Sequence, residues 1–180
     1  MYKLNGELSL RAVTEHDQSF LDDLYISRRE DLQQLGLASA MLDQLIKMQQ
    51  QAQSLGIHQH YPNADYWIVA HGNQAVGRVV VDAGSTDFRL VDIAIIPAAQ
   101  RKGIAREILF AMQERARHQN MGISLAVEKN NNVARSLYLG MGFFVHSDDM
   151  LFEQMHWRAA SSTMAVEADC QSMRKNNVTA

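Results

Sequence analysis

The sequence predicts a single mixed α/β domain in which an antiparallel meander leads into a central β-α-β unit. Three observations carry this. Three short apolar stretches between Tyr66 and Ile96 are joined by turns too tight for a parallel crossover. The last of them, Leu90-Val91-Asp92-Ile93-Ala94-Ile95-Ile96, is almost wholly apolar, as a central strand covered on both faces should be. An amphipathic stretch from about Gly103 to His118 follows and gives way to another strand-like run, Ile123 to Val127, which makes the flanking strands locally parallel.

From the N-terminus, Leu8, Leu10 and Ala12 alternate with Ser9, Arg11 and Val13 as a short strand. Thr14 with Asp17 three residues on marks a helix start, and Phe20, Leu21, Leu24 and Tyr25 form its apolar face. A second helix begins near Ser39. Met41, Leu42, Leu45, Ile46, Met48, Ala52 and Leu55 recur at helical spacing, and Gly56 suits its end. Met41, Met48 and Met112 occupy core spacing, where methionine fills gaps.

Tyr66 to Ala70, Ala75 to Val81 and Phe88 to Ile96 then read as the three strands of the meander, with turns at 71–74 and 83–87. Pro97, which has no N–H for a ladder, ends the third. Ile104, Ala105, Ile108, Leu109, Met112 and Ala116 line one face of the next helix, and Arg115, Arg117 and His118 suit the negative end of its dipole. After Ile123–Val127 come a short helix from Asn132 to Leu139, closed by Gly140 or Gly142, and two strands near Phe143–His146 and Met150–Trp157. That last pair should turn at Ser147-Asp148-Asp149. Residues 1–158 make the domain. Residues 159–180 are small, polar and aperiodic, and read as a mobile tail or, alternatively, a short terminal helix.

Composition narrows the function classes. A net charge of -3 gives no general attraction for nucleic acid or anionic lipid, so any phosphate site must be local. No apolar run approaches the ~20 residues of a membrane span, and the first seven residues lack the apolar stretch of a secretory signal. A single cysteine, Cys170, excludes an internal disulfide framework and lies in the polar tail, away from any patterned site. The cytoplasm is the expected location. His58 and His60, beside Tyr61-Pro62, have no acidic or cysteine partner at metal spacing and read as loop residues rather than ligands, so no metal is expected.

The strongest chemical signal is the loop Gln100-Arg101-Lys102-Gly103-Ile104-Ala105. The first turn of a helix offers free backbone N–H groups and a partial positive charge, which attract phosphate. Gly103 and Ala105 leave room for close approach, while Arg101 and Lys102 add local charge. The same string also fits a plain strand-to-helix turn with solvated basic residues. No Gly-Lys-Ser or Gly-Lys-Thr is present, which excludes a nucleotide P-loop.

The string Ile93-Ala94-Ile95-Ile96-Pro97 followed by Gln100 to Ala105 resembles the strand–loop–helix signature of the GNAT superfamily of acetyl-CoA-dependent acyltransferases. Val127, Asn131, Ala134, Leu137-Tyr138 and Gly142-Phe143 resemble that family's second signature. The resemblance spans roughly residues 8–157. It implies a GNAT-like mixed sheet whose central parallel strands splay apart to admit the cofactor. It further implies that the backbone at Ile95 and Ile96 pairs with the pantetheine arm and that the amides of Gln100 to Ala105 hold the pyrophosphate. Asn131 would touch the cofactor, and Tyr138 would protonate the leaving thiolate.

Amide formation from a thioester needs a neutral amine, stabilisation of the carbonyl oxygen and a proton for the thiolate. Tyr138 could supply that proton, or could simply pack its ring against the sheet. A main-chain N–H near Ile95 or Ile96 would meet the oxyanion. Many relatives carry Glu or His four residues before the position of Ile93. Here that residue is Arg89, which cannot act as a base at neutral pH. Asp92 and Glu128 are the nearest carboxylates by sequence. Asp92 is either a base or a structural ion-pair partner, and Glu128 either a base or a solvated strand end; a water chain is a further option. The expected function is therefore N-acetyl transfer from acetyl-CoA to a primary amine, directly in a ternary complex, with a non-catalytic acyl-CoA sensor as the alternative. Asp22, Asp23, Glu30 and Asp31 could attract a cationic small-molecule or peptide acceptor or merely solvate their helix. Met150-Leu151-Phe152 could offer a strand edge for a homodimer.

Overall fold

The computed structural model describes residues 2–4, 6–29 and 39–159. Glu30, Asp31, Cys170 and the expected tail from residue 160 onward lie outside the described residues. The strands are β1 (Tyr2–Lys3), β2 (Leu8–Ala12), β3 (Asp65–His71), β4 (Gln74–Ala83), β5 (Asp87–Ile95), β6 (Gly122–Glu128), β7 (Phe144–Asp148) and β8 (Phe152–Trp157). The helices are α1 (Gln18–Ile26), α2 (Ser39–His60), α3 (Ile104–Gln119) and α4 (Asn132–Gly140). The strands form one mixed sheet in the order β1-β2-β3-β4-β5-β6-β8-β7. Among the described residues only β5 and β6 run parallel, across the α3 crossover, and every other neighbour is antiparallel.

Alternation along the strands sorts the core into two layers. Val69 and Val79 join Leu90, Ile108, Leu109, Ile123, Leu125 and Met155 in the cluster beneath α3 and α4. Ile68 and Val80, one residue off, are fully buried on the opposite face, where α1 contacts β4. Helices therefore cover both faces of the central strands, as the apolar run of β5 requires. Asn120, in a left-handed conformation (φ 52°), ends α3.

Several sequence expectations shift. A short strand β1, too brief to leave a pattern, adds to the edge beside β2. Helix α2 does not stop at Gly56 but runs through His60, so His58 and His60 occupy its last turn rather than a loop. The chain leaves it at Tyr61-Pro62, where proline removes a donor and disfavours helical geometry in the preceding residue. The imidazole Nδ1 atoms face Tyr66 Oη at 3.1 Å for His58 and the Gly56 carbonyl at 2.9 Å for His60.

Met41 and Met48 do not fill a core: they are 60% and 63% exposed. Helix α2 turns Ile46, Gln49, Gln50 and Ile57 inward instead, and Gln50 donates to Asp22 of α1 at 2.7 Å. The final hairpin turns at Asp149-Met150-Leu151, two residues later than expected, because the Asp149 carboxylate accepts the N–H groups of Leu151 and Phe152 at 2.8 and 2.7 Å. Met150 and Leu151 are therefore turn residues, and β8 lies between β6 and β7. They offer no strand edge; the edge on that side is β7.

The entry to α1 depends on Asp17. Its carboxylate takes the Arg11 guanidinium in a two-pronged contact at 2.5 and 2.7 Å, and accepts the Thr14 N–H and hydroxyl at 2.9 and 2.8 Å. These bonds tie the end of β2 to the first turn of the helix. The Arg11 contact, followed by the Thr14 donors, holds the Asp17 carboxyl well below the usual carboxylate range. A depressed folded-state pKa contributes stability above the unfolded value and loses it as pH falls. The urea midpoint of the native chain should thus drop between about pH 5 and pH 2, and Asp17→Asn should both lower the neutral-pH midpoint and flatten that acid slope.

Candidate active site

Strands β5 and β6 stay together for four residue pairs only, from Asp87 opposite Gly122 to Leu90 opposite Leu125. Beyond that point β5 follows β4 as far as Ile95 opposite Gly77, while β6 follows β8 as far as Glu128 opposite Phe152. The sheet forks. At the branch, Val80 pairs with Asp92 and Val81 with Leu90, so Val91 has no opposite number. This bulge sharpens the local twist and reverses side-chain parity. Leu90 before it and Ile93 and Ile95 after it all face the α3 core, and Asp92 is swung to the α1 face.

The fork opens a cleft of about 730 Å³ between β5, β6, the start of α3 and α4. One wall is main chain. Ile96 N–H donates to the Val76 carbonyl at 3.0 Å, so by antiparallel alternation Asp92, Ala94 and Ile96 direct their backbone groups to β4. Those of Ile93 and Ile95 face the fork, where no strand among the described residues lies opposite. The Ile95 carbonyl instead accepts the Gln100 side-chain amide at 2.9 Å. Gly77 lets β4 press against this segment, since a Cβ there would collide with the Ala94 carbonyl and the Ile95 side chain.

At the end of β5, Pro97–Ala99 make a single 3-10 turn and the chain reverses into α3. Arg101 and Gly103 are both left-handed (φ 60° and 83°). The first helical bond runs from Glu107 N–H to the Gly103 carbonyl, so the amides of Ile104, Ala105 and Arg106 have no partner within the helix. No side chain among the described residues caps this end. Open space surrounds the Gly103 Cβ position, so the glycine is required by its φ and leaves the approach to those amides clear. Arg101 and Arg106 are exposed and line the cleft, as do Gln100, Gly103, Ile104 and Ala105; Lys102 does not.

On the facing side, Asn131 accepts the Ala134 N–H at 3.1 Å as the N-cap of α4, and also lines the cleft. One helical segment on, Tyr138 is 6% exposed, its ring 5.8 Å from that of Phe143. Its hydroxyl makes no hydrogen bond among the described residues. Burial, and then the negative charge of Asp92, push its pKa up to about 12, with Arg28 opposing. Asp92 itself is committed: Arg78 donates to it from Nη2 at 2.7 Å and Nε at 3.1 Å, and Arg28 from Nη1 at 3.2 Å. Glu128, the last residue of β6, is exposed at the cleft mouth. Arg89 donates to Gln154 at 3.0 Å. Among the described residues no group of three His, Cys, Asp or Glu side chains is placed to hold a metal ion, and no helix is long and apolar enough to cross a membrane.

The cleft thus gathers Tyr138, Glu128, Asp92, Ile95, Asn131 and most of the 100–105 loop. Ile96 stays outside it, with its N–H used in the sheet. Sequence reasoning missed Arg28 and Arg78, whose link to Asp92 exists only in the fold. It also missed Arg106, which did leave a signal. A cation in the first turn of a helix opposes the dipole, and is at home there when an anion binds.

The forked sheet leading to unpaired amides at a helix start matches the splayed parallel strands that the resemblance to the GNAT superfamily implies. A family profile described as "Acetyltransferase (GNAT) family" matches residues 49–143. The chain belongs to this family. Among solved structures, PaiA N-acetyltransferase from Thermoplasma acidophilum in complex with coenzyme A superposes with a TM-score of 0.64 at 14% identity, over 86% of this chain and 100% of the other. An acetyltransferase from Thermus thermophilus gives 0.61 at 18% identity, over 87% and 100%. Spermidine N-acetyltransferase from Vibrio cholerae in complex with CoA and spermine gives 0.58 at 20% identity, over 86% and 96%. No curated protein sequence matches significantly. At these identities the solved structures share the fold.

The Asp92 contacts lead to a direct expectation. Asp92→Asn leaves the nearly buried Arg78 guanidinium without its counter-ion and should cost about 3 kcal/mol of stability. It also removes the charge that raises the Tyr138 pKa, which should fall below about 12 in an NMR titration of ring-labelled tyrosine. An unmoved pKa would break the proposed electrostatic link between the two residues.

Proposed function

We propose that this chain is an N-acetyltransferase that moves the acetyl group of acetyl-CoA to a primary amine in a ternary complex. The observation that carries the reading is the forked sheet, with the unpaired amides of Ile93 and Ile95 leading straight to the free amides of Ile104, Ala105 and Arg106. A pantetheine arm is amide-bearing and extended, and suits the first set. A pyrophosphate suits the second, with Arg101 and Arg106 beside it. Acetyl-CoA, as co-substrate, supplies the activated acyl carbon and a thiol leaving group.

In this reading an amine enters from the side of Arg28, Glu128 and Phe152 and attacks the thioester carbonyl. The main-chain N–H of Ile93 or Ile95 donates to the developing oxyanion, and Ile96 is not needed. As the C–S bond breaks, Tyr138 donates its hydroxyl hydrogen bond to the sulfur. With a pKa near 12 the phenol is fully protonated at neutral pH. Complete proton transfer to a thiolate of pKa about 8.5 runs uphill, so hydrogen bonding to the sulfur is its main contribution. Glu128 is the carboxylate free to take the amine proton, directly or through water. Asp92, held by two guanidinium groups, positions Arg28 and tunes Tyr138 instead.

Calorimetric titration with acetyl-CoA, with desulfo-CoA and ATP as controls, tests the reading at its base. Micromolar binding, lost in Gly103→Val, supports the loop assignment; undiminished binding in that variant overturns it. With an amine acceptor in hand, Tyr138→Phe should lower kcat by about ten- to a thousandfold while leaving acetyl-CoA affinity intact. Cofactor binding without turnover over a broad amine panel would point to the acyl-CoA sensor instead.

A further inference from the structure

Arg28 stands where the segment leaving α1 meets the acceptor side of the cleft. Its N–H donates to the Tyr25 carbonyl at 3.1 Å, and the Ser27 hydroxyl donates to the Leu24 carbonyl at 2.8 Å, so the main chain is held at the helix end. A cation just past a helix C-terminus is ordinary, because the dipole favours it there. Here, however, no helix carbonyl among the described residues takes the guanidinium. It reaches instead to Asp92, which Arg78 already serves. Arg78 directs two donors at one carboxylate oxygen, at 2.7 and 3.1 Å, and its side chain is only 13% exposed. Arg28 makes a single contact with the other oxygen, at 3.2 Å, and its side chain is 41% exposed.

The charges at this end therefore do not balance. Two guanidinium groups share one carboxylate, which leaves a positive charge on the exposed member. Glu128, the other carboxylate among the described residues lining the cleft, makes no ion pair with it. The acids of α1 do not offset it either. Asp22 accepts the side-chain amides of Gln18 and Gln50 at 2.7 Å, in the contact between α1 and α2, and neither it nor Asp23 lines the cleft. Arg101 and Arg106 stand at the opposite end, beside the start of α3.

We propose that Arg28 selects an acceptor that carries a carboxylate as well as its amine. The carboxylate docks on the open edge of the guanidinium while the amine approaches the thioester, an inference that rests on the N-acetyltransferase reading. A planar fork matches a planar carboxylate with two parallel N–H···O bonds, and the contact with Asp92 orients the fork beforehand. The surplus is one charge, which a carboxylate balances and a phosphomonoester dianion exceeds. A polyamine meets the same surplus as repulsion. The anchor is also close to the chemistry, since Arg28 is near enough to oppose the rise of the Tyr138 pKa. In the transfer the amine nitrogen forms the amide bond as the C–S bond breaks, its proton passes to Glu128 or water, and CoA leaves as the thiol. The product is an N-acetylated acid, which has lost the ammonium and kept the anion.

Thiol release from acetyl-CoA, measured with matched acceptors, tests this: α-amino acids, β-alanine and γ-aminobutyrate, the carboxamide of each, phosphoethanolamine and spermidine. The best acid should exceed its own carboxamide in kcat/KM by about ten- to a hundredfold, with phosphoethanolamine and spermidine below it. Arg28→Gln should collapse that ratio toward one by raising KM for the acid, and Arg28→Lys should restore part of it. Binding without chemistry separates this inference from the reading it rests on. Calorimetric titration of the protein with CoA and the N-acetyl derivatives of the same acids should show binding that Arg28→Gln weakens by a similar factor. A preference for spermidine or for the carboxamides, or an equal loss on acid and carboxamide in Arg28→Gln, overturns the carboxylate site. A preference for phosphoethanolamine overturns the choice of carboxylate over phosphate. Arg28-dependent binding of the N-acetyl acids with no thiol release would support the anion site and overturn the transferase reading; loss of both results overturns both. Arg78 still holds Asp92 in Arg28→Gln, so an unchanged melting temperature in that variant would assign the effect to the acceptor rather than to unfolding.

Discussion

The constraint on which the rest depends is the separation of two parallel strands that begin as neighbours. A buried sheet does not tolerate unpaired amides and carbonyls without something to satisfy them. Here the parting after Leu90 and Leu125 is compensated on each side. β5 keeps its partner β4, β6 keeps its partner β8, and the Gln100 amide reaches back to the Ile95 carbonyl. The one extra residue at Val91 makes the geometry possible, since it holds Leu90, Ile93 and Ile95 on the core side while rotating Asp92 away. Everything chemical about the cleft follows from this arrangement. It leaves a length of polar backbone facing a gap, and the gap runs into a helix start whose amides are equally unsatisfied.

Charge is then distributed so that the two ends of the cleft differ. At the loop end, Arg101 and Arg106 stand at the positive pole of α3 on a chain whose net charge is -3. At the other end, Arg28 and Arg78 share the single carboxylate of Asp92, a cluster of net charge +1, and Glu128 is the other carboxylate among the described residues that line the cleft. Tyr138 sits between them, buried enough to keep its proton and open enough to reach the cleft.

Local chemistry was legible in the sequence and distant contacts were not. The conformation of the loop from Gln100 to Ala105 could be read because it is set by adjacent residues: a left-handed glycine and a helix start, with cations nearby. The meander and the crossover could be read because strand and helix periods differ. The bulge at Val91 could not, because an extra residue in an unbroken apolar run leaves no mark on the pattern. Nor could the partners of Asp92, one of which lies 64 positions away. Helix α2 misled for a different reason. Helical spacing of apolar residues shows that a face exists, but not which of two faces the protein covers, so Met41 and Met48 were assigned to a core that Ile46 occupies. In the last hairpin three polar residues in a row offered several turns, and the reach of one carboxylate, Asp149, decided among them.

The bond from Gln100 to the Ile95 carbonyl has a consequence for solubility. Backbone left unpaired along a strand is a template on which foreign chains can add and from which fibrils can grow. Most proteins guard only the outer rims of their sheets, but a forked sheet carries two further templates in its interior. Gln100 masks one of their acceptors with a side-chain amide, and the twist at Val91 keeps the two arms from presenting a flat surface to an incoming strand. The same glutamine that closes off the gap when nothing is bound must yield to any ligand that competes for that carbonyl. Misassociation is thereby discouraged in the empty protein without sealing the cleft.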